Sequence, residues 1–206
     1  MDECGWVSEV LEEETRKLKS TMLIANETFE KLTALDNQNE YECCTFKNCD
    51  FSGGNLSATK FIESEFIDCN LSNAKLNETS ILDVQFKSCK MLGIQFDMSN
   101  PLLFSAIFEN CQLNDCTFYE MKLRQAEFTN SSLEGADFTA ADMKEVKITG
   151  CDLSNANFDR ANLEGADFLM SVRLQIDPEL TRITKAKLSM SQLPGLLSKY
   201  NLKIKG

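Results

Sequence analysis

From Tyr41 the chain places an apolar residue at every fifth position: Tyr41, Phe46, Phe51, Leu56, Phe61, Phe66, Leu71, Leu76, Ile81, Phe86, Met91 and Phe96. The count then slips by two residues and resumes at Leu103, Phe108, Leu113, Phe118, Leu123, Phe128, Leu133, Phe138, Met143, Ile148, Leu153, Phe158, Leu163 and Phe168. With 43% apolar residues overall, an unbroken run of this length has a chance expectation of roughly 10⁻⁹, so the period is real. Two positions before most centres the residue is small. Cysteine stands there at 44, 49, 69, 89, 111, 116 and 151, and alanine at 74, 106, 126, 136, 141, 156, 161 and 166. A period of five matches neither the 3.6-residue turn of a helix nor the two-residue alternation of a strand. It predicts a tight closed coil with large and small groups alternating inward.

Units such as "CDFSG", "CNLSN", "ADFTA", "ANLEG" and "ADFLM" resemble the A(D/N)LXX consensus of the pentapeptide-repeat family over residues 41–168. That resemblance implies an all-β solenoid, a right-handed quadrilateral β-helix with four pentapeptides per coil. Residues 20 apart then stack on one face. One small-residue column is Cys49, Cys69, Cys89, Cys111, Ser131 and Cys151. One column of centres is Phe46, Phe66, Phe86, Phe108, Phe128, Ile148 and Phe168, and another is Leu56, Leu76, Phe96, Phe118, Phe138 and Phe158. Residue types segregate at period 20, and the slip near 97–102 preserves the columns. It reads as a corner bulge at Asp97–Pro101, where Asn and Pro supply turn chemistry.

The ends read differently. Residues 1–21 predict an amphipathic helix with Val7, Val10, Leu11 and Leu18 as its stripe. Residues 22–40, with Phe29 outside the five-residue frame, predict an irregular first coil or cap ahead of the 41–170 solenoid. Residues 171–206 predict a loop and a last partial coil. A helix over 192–200 follows, capped by Ser189 or Ser191 with Pro194 in its first turn, and then a strand through Leu202 and Ile204. This tail resembles those of Qnr-type quinolone-resistance proteins and of the microcin-immunity member of the family, which implies a C-terminal dimer contact. The open last coil and the surplus of apolar tail residues, Leu193, Leu196, Leu197, Tyr200, Leu202 and Ile204, point to the same two-fold contact.

Charge narrows the functional classes. The formal net charge is −11, with 32 acidic and 21 basic residues and no histidine. An acidic chain lacks the basic footprint of direct nucleic-acid binding. Without histidine, Ser-His and Cys-His nucleophile pairs and His-ligated metals are excluded. A filled coil offers no pocket for paired carboxylates, so the chain reads as non-catalytic and without cofactor or metal. No apolar run reaches the 18 residues of a membrane span. The first residues lack a signal-peptide pattern, which with nine cysteines predicts a reducing, cytoplasmic location. The column cysteines are expected buried and reduced, and Cys4 and Cys43 exposed.

Residues 41–170 carry 20 acids and 10 bases, whereas 171–206 carry two acids and seven bases. On the Cys-column face, Asp50, Asp115, Glu134 and Asp152 are opposed only by Lys90, the most one-sided face by counting. The resemblance to family members acting on DNA gyrase implies an acidic rod that imitates duplex DNA. The 26 repeat units make a rod about 31 Å long at four units per coil and about 4.8 Å per coil; that length of duplex carries about 18 charges, roughly twice the net charge of the repeat region. Two readings stand. One is a homodimeric DNA mimic that binds DNA gyrase or topoisomerase IV and protects it from quinolone-like or peptide toxins. The other is a solvated acidic scaffold for an unrelated protein partner.

Overall fold

The structure is a computed structural model and describes residues 21–36 and 38–203. The expected helix over 1–21 lies, with Cys4, outside the described residues save for Thr21, and so does Ile204. Ten short strands run in parallel: β1 (Leu23–Ala25), β2 (Thr28–Glu30), β3 (Glu40–Glu42), β4 (Thr45–Lys47), β5 (Lys60–Ile62), β6 (Glu65–Ile67), β7 (Ser80–Lys87), β8 (Phe104–Glu109), β9 (Glu127–Thr129) and β10 (Lys147–Thr149). They form two adjoining faces of a four-sided solenoid of about six coils. On the first face β1, β3, β5 and β7 follow one another, and on the second β2, β4, β6, β7, β8, β9 and β10. The third and fourth faces are joined by single bridges, such as Asp50–Asn70–Lys90–Gln112–Ser132–Asp152 and Gln95–Thr117–Asp137–Asn157.

The corners explain the period. From Cys43 to Gly93 every fifth residue, two after each centre, has φ between 46° and 65°. A left-handed residue turns the chain, and Asn, Asp and Gly adopt it most readily. On the bridged faces the Asn or Asp just before the centre caps the next turn. Asp50 Oδ1 accepts the Ser52 N–H at 3.1 Å, Asn70 Oδ1 that of Ser72 at 3.1 Å, and Asp152 Oδ1 that of Ser154 at 3.1 Å. This is the work of the D/N position in the repeat.

The interior is a stack of rings. Phe46, Phe66, Phe86, Phe108 and Phe128 lie with centroids 4.6–5.2 Å apart and nearly parallel. Across the coil Phe96, Phe118, Phe138 and Phe158 do the same at 4.8–5.2 Å. The two stacks meet edge to face, as at Phe118–Phe128, the arrangement that the ring quadrupole favours.

Three expectations are corrected. Leu103 is 37% exposed and Phe104 takes the interior place, in register with Ile81 and edge-on to Phe96. The slip is not centred on Asp97–Pro101. Asn100 N still bonds Thr79 O in ordinary register, and the excess residues are Pro101 to Leu103. Pairing is offset by 23 at Ile81–Phe104 and returns to 22 at Val84–Ala106, so a corner loop of three is offset by a one-residue bulge on β7. Finally, Phe29 belongs to the Phe46 column. The first coil is only 17 residues long, which hides it from a five-residue count.

The short coil also accounts for Thr59 Oγ1, the unpartnered buried side-chain polar atom among the described residues. One coil later Thr79 Oγ1 donates to Leu56 O, 23 residues back, at 2.8 Å. The carbonyl 23 residues before Thr59, Asp36 O, lies in the shortened coil and accepts the Tyr41 hydroxyl at 3.5 Å instead.

Candidate binding surfaces

All eight described cysteines are free, with Cys43 exposed and the rest buried. The column thiols do more than fill space. Cys69 Sγ donates to Phe46 O at 3.3 Å, Cys89 Sγ to Phe66 O at 3.4 Å and Cys111 Sγ to Phe86 O at 3.3 Å. Ser131 and Ser171 make the same bond from the same position, the latter to Ile148 O at 2.7 Å. Cysteine and serine are interchangeable there because each supplies one donor to the preceding coil. Burial pushes Cys116 up to about 12 and Cys151 up to about 11. This is a structural column; among the described residues no group of three or more candidate ligands could hold a metal.

The four acids Asp50, Asp115, Glu134 and Asp152 do lie along the third face. Asp115 sits at a corner with φ 58°. Its carboxylate fills the space beside Gly135, where a Cβ would lie 2.4 Å from Oδ1. Lys90 is not their sole counter-charge. Arg173, just beyond the last clean repeat, grips Asp152 through Nε at 2.9 Å and through Nη2. That guanidinium holds Asp152 down to about 2. Asp152's folded pKa is depressed, so its contribution is present at neutral pH and fades only as pH falls through about 2.

At the C-terminal end Met190–Tyr200 form a 3₁₀ helix, not the expected 192–200 segment. Ser189 caps it, and Pro194 falls in the second turn. Leu202 and Lys203 are not in a strand. Gln192 closes the solenoid. In a continuing coil the Ser171 carbonyl would receive the N–H of residue 192; here the Gln192 side-chain Nε2 supplies it at 2.8 Å and also donates to Phe168 O at 2.6 Å. Its Oε1 accepts the Ser189 N–H at 2.7 Å. The helix rests so closely that a Cβ on Gly195 would lie 1.8 Å from Leu174 O. Gln192→Ala leaves the buried Ser171 carbonyl without a donor, while Phe168 O keeps the Ser171 N–H at 3.1 Å, and urea denaturation is expected to show a loss of about 1–3 kcal/mol.

Of the tail residues, Leu196 packs against the core, whereas Leu193, Leu197, Tyr200 and Leu202 remain exposed together with Met170, Val172, Leu180 and Met190. Lys199 bridges Asp177 at 2.7 Å and Glu179 at 2.8 Å. Both carboxylates raise its pKa.

The family described as pentapeptide repeat region matches residues 40–101 and 102–171. The chain belongs to this family. Among solved structures it is similar to a trypsin-treated form of QnrB1, a plasmid-mediated fluoroquinolone resistance protein. Identity is 22%, the match covers 90% of this chain and 98% of that one, and the TM-score is 0.58. It is also similar to HetL, a pentapeptide-repeat protein involved in heterocyst differentiation regulation in the cyanobacterium Nostoc sp. strain PCC 7120. There identity is 16%, the match covers 88% of this chain and 94% of that one, and the TM-score is 0.37. No curated protein sequence matches the chain. Among the described residues no helix is long and apolar enough to cross a membrane.

Proposed function

We propose that this pentapeptide-repeat protein is a non-catalytic binding protein whose acidic rod occupies a type II topoisomerase, DNA gyrase or topoisomerase IV, in place of DNA. In doing so it protects the enzyme from quinolone-like or peptide toxins. The supporting observation is an acidic, solid-cored rod whose fold matches that of a fluoroquinolone resistance protein along nearly its whole length. A filled interior leaves the outward side chains as its chemistry. The rod acts as a homodimer in the cytoplasm, joined at the C-terminal end. Gln192 and Leu196 fix one side of the cap helix, and the other side presents Leu193, Leu197 and Tyr200 to a second copy.

The deciding experiment is a gyrase supercoiling assay with and without a fluoroquinolone. Added protein is expected to restore supercoiling in the presence of drug, or to inhibit it when in excess. No effect at micromolar protein moves the reading to a scaffold with an unrelated partner. Sedimentation equilibrium is expected to give about twice 23.2 kDa, reduced to a monomer by Leu197→Asp. A wild-type monomer at high micromolar concentration removes the dimer.

A further inference from the structure

Ion pairs are spread unevenly around the rod. On the first and second faces bases stand one coil from acids: Lys60 on Glu40 at 3.1 Å, Lys147 on Glu127 at 2.7 Å and Lys187 on Asp167 at 3.1 Å. The third face has Arg173 on Asp152. The fourth face, over the centres Leu76, Phe96, Phe118, Phe138 and Phe158, differs. Beside each of these five successive centres stands one acid: Glu78, Asp97, Glu120, Asp137 and Asp159. Among the described residues none of the five makes an ion pair. The face's two bases, Lys75 and Arg160, stand at the ends of the row.

The acids alternate among three neighbouring columns, Glu78 and Glu120 two places after their centres, Asp97 and Asp159 one after and Asp137 one before, and at about 4.8 Å per coil the band is about 19 Å long. One strand of duplex DNA carries a phosphate every 3.4 Å, so the band has about 70% of that charge per unit length. Apolar surface lies within it. Met98 is 47% and Tyr119 41% exposed, and Tyr119 sits in the column between Asp97 and Thr139. An exposed aromatic set among charges is the make-up of an interface anchor with a polar rim. Asp97 accepts the Thr117 hydroxyl and Asp137 the Thr139 backbone N–H at 2.9 Å, but none of the five has a counter-charge among the described residues, and charges without one gain most from an opposing surface.

We infer that the fourth face is the docking surface, and that its occupant is a protein surface bearing a row of Lys and Arg side chains built to hold a nucleic-acid backbone. This rests on the topoisomerase reading, and it assigns the side of the rod that enters the enzyme's DNA-binding groove. The third face, with Arg173 closed on Asp152, turns away.

The test is the affinity of full-length protein for purified DNA gyrase by equilibrium titration, with folding checked by circular dichroism. Glu120→Lys with Asp159→Lys is compared with Glu63→Lys and Asp68→Lys, exposed acids on the first two faces giving the same change in net charge. The fourth-face pair is expected to weaken binding tenfold or more, Tyr119→Ala several-fold, and the control pair less than twofold. If the reversals disturb folding, Glu120→Gln with Asp159→Asn is expected to weaken binding about threefold with its control unchanged. Equal losses on the two sets, or a larger loss from the control, overturn the face assignment while leaving gyrase as the partner. Wild-type protein that does not bind gyrase overturns both.

Discussion

Deleting Pro101 and Leu102 leaves a folded rod, whereas deleting Thr139 and Ala140 unfolds the C-terminal third of the solenoid. The first pair lies in the corner loop. Leu102 is 82% exposed, and its backbone N–H is held only by Asn100 Oδ1 at 3.1 Å. Removing the pair takes the Val84–Ala106 offset from 22 to the ordinary coil length. Deletion within 98–100 is not equivalent, because Ser99 is buried and donates to Phe96 O at 2.6 Å. Removing Thr139 and Ala140 moves every later residue by two. Glu145 then stands at the Met143 place, Gly150 at Ile148, Asn155 at Leu153 and Arg160 at Phe158. Placing charged and polar groups in that interior exceeds the roughly 5–15 kcal/mol that hold a domain together. Circular dichroism melts and limited proteolysis separate the outcomes: a single cooperative transition close to wild type for the loop deletion, and early cleavage beyond residue 138 for the other. Comparable damage from both removes the corner-loop account.

The interior was legible because a coil of fixed length writes its inside into the sequence. The five-residue count places its centres inside the rod, with Leu103 as the departure. That failure is instructive. Leu102, Leu103 and Phe104 are all apolar, and hydropathy alone does not say which one a bulged corner turns inward; the Ile81 pairing decides it. Phe29 was illegible for the opposite reason, since a shortened coil shifts the frame while keeping the column. Gln192 closes the rod with a side chain standing in for backbone, and no periodic pattern marks such a substitution. The candidate surface was legible only in part. Counting acids picked the third face because Arg173 lies past the last repeat and its ion pair with Asp152 is a fact of stacking. The fourth face, with one unpaired acid per coil, emerges only when pairs are assigned.

Phe118→Ala is expected to destabilise the rod by about 3–5 kcal/mol, and Phe29→Ala by less than half as much. Phe118 is fully buried between Phe96 at 4.8 Å and Phe138 at 4.9 Å, and it meets Phe108 and Phe128 edge-on. Truncation there empties a ring-sized volume whose walls are stacked coils held by continuous hydrogen bonds above and below. Such walls cannot collapse inward without breaking register, so the cavity persists and adds to the lost transfer energy. Phe29 stacks on Phe46 alone at 5.1 Å, touches Tyr41 edge-on at 5.9 Å, and is only partly buried. It lies in the first described coil, and among the described residues only Phe46 stacks on its ring. In a solenoid stability is a sum over coils and the interfaces between them. A mid-rod residue belongs to two interfaces and a terminal one to a single interface. Urea denaturation of the two variants, with equal dependence on denaturant concentration, measures the difference directly. Equal losses would mean that the rod unfolds from a rigid N-terminal coil, and would contradict the stacking account of its core.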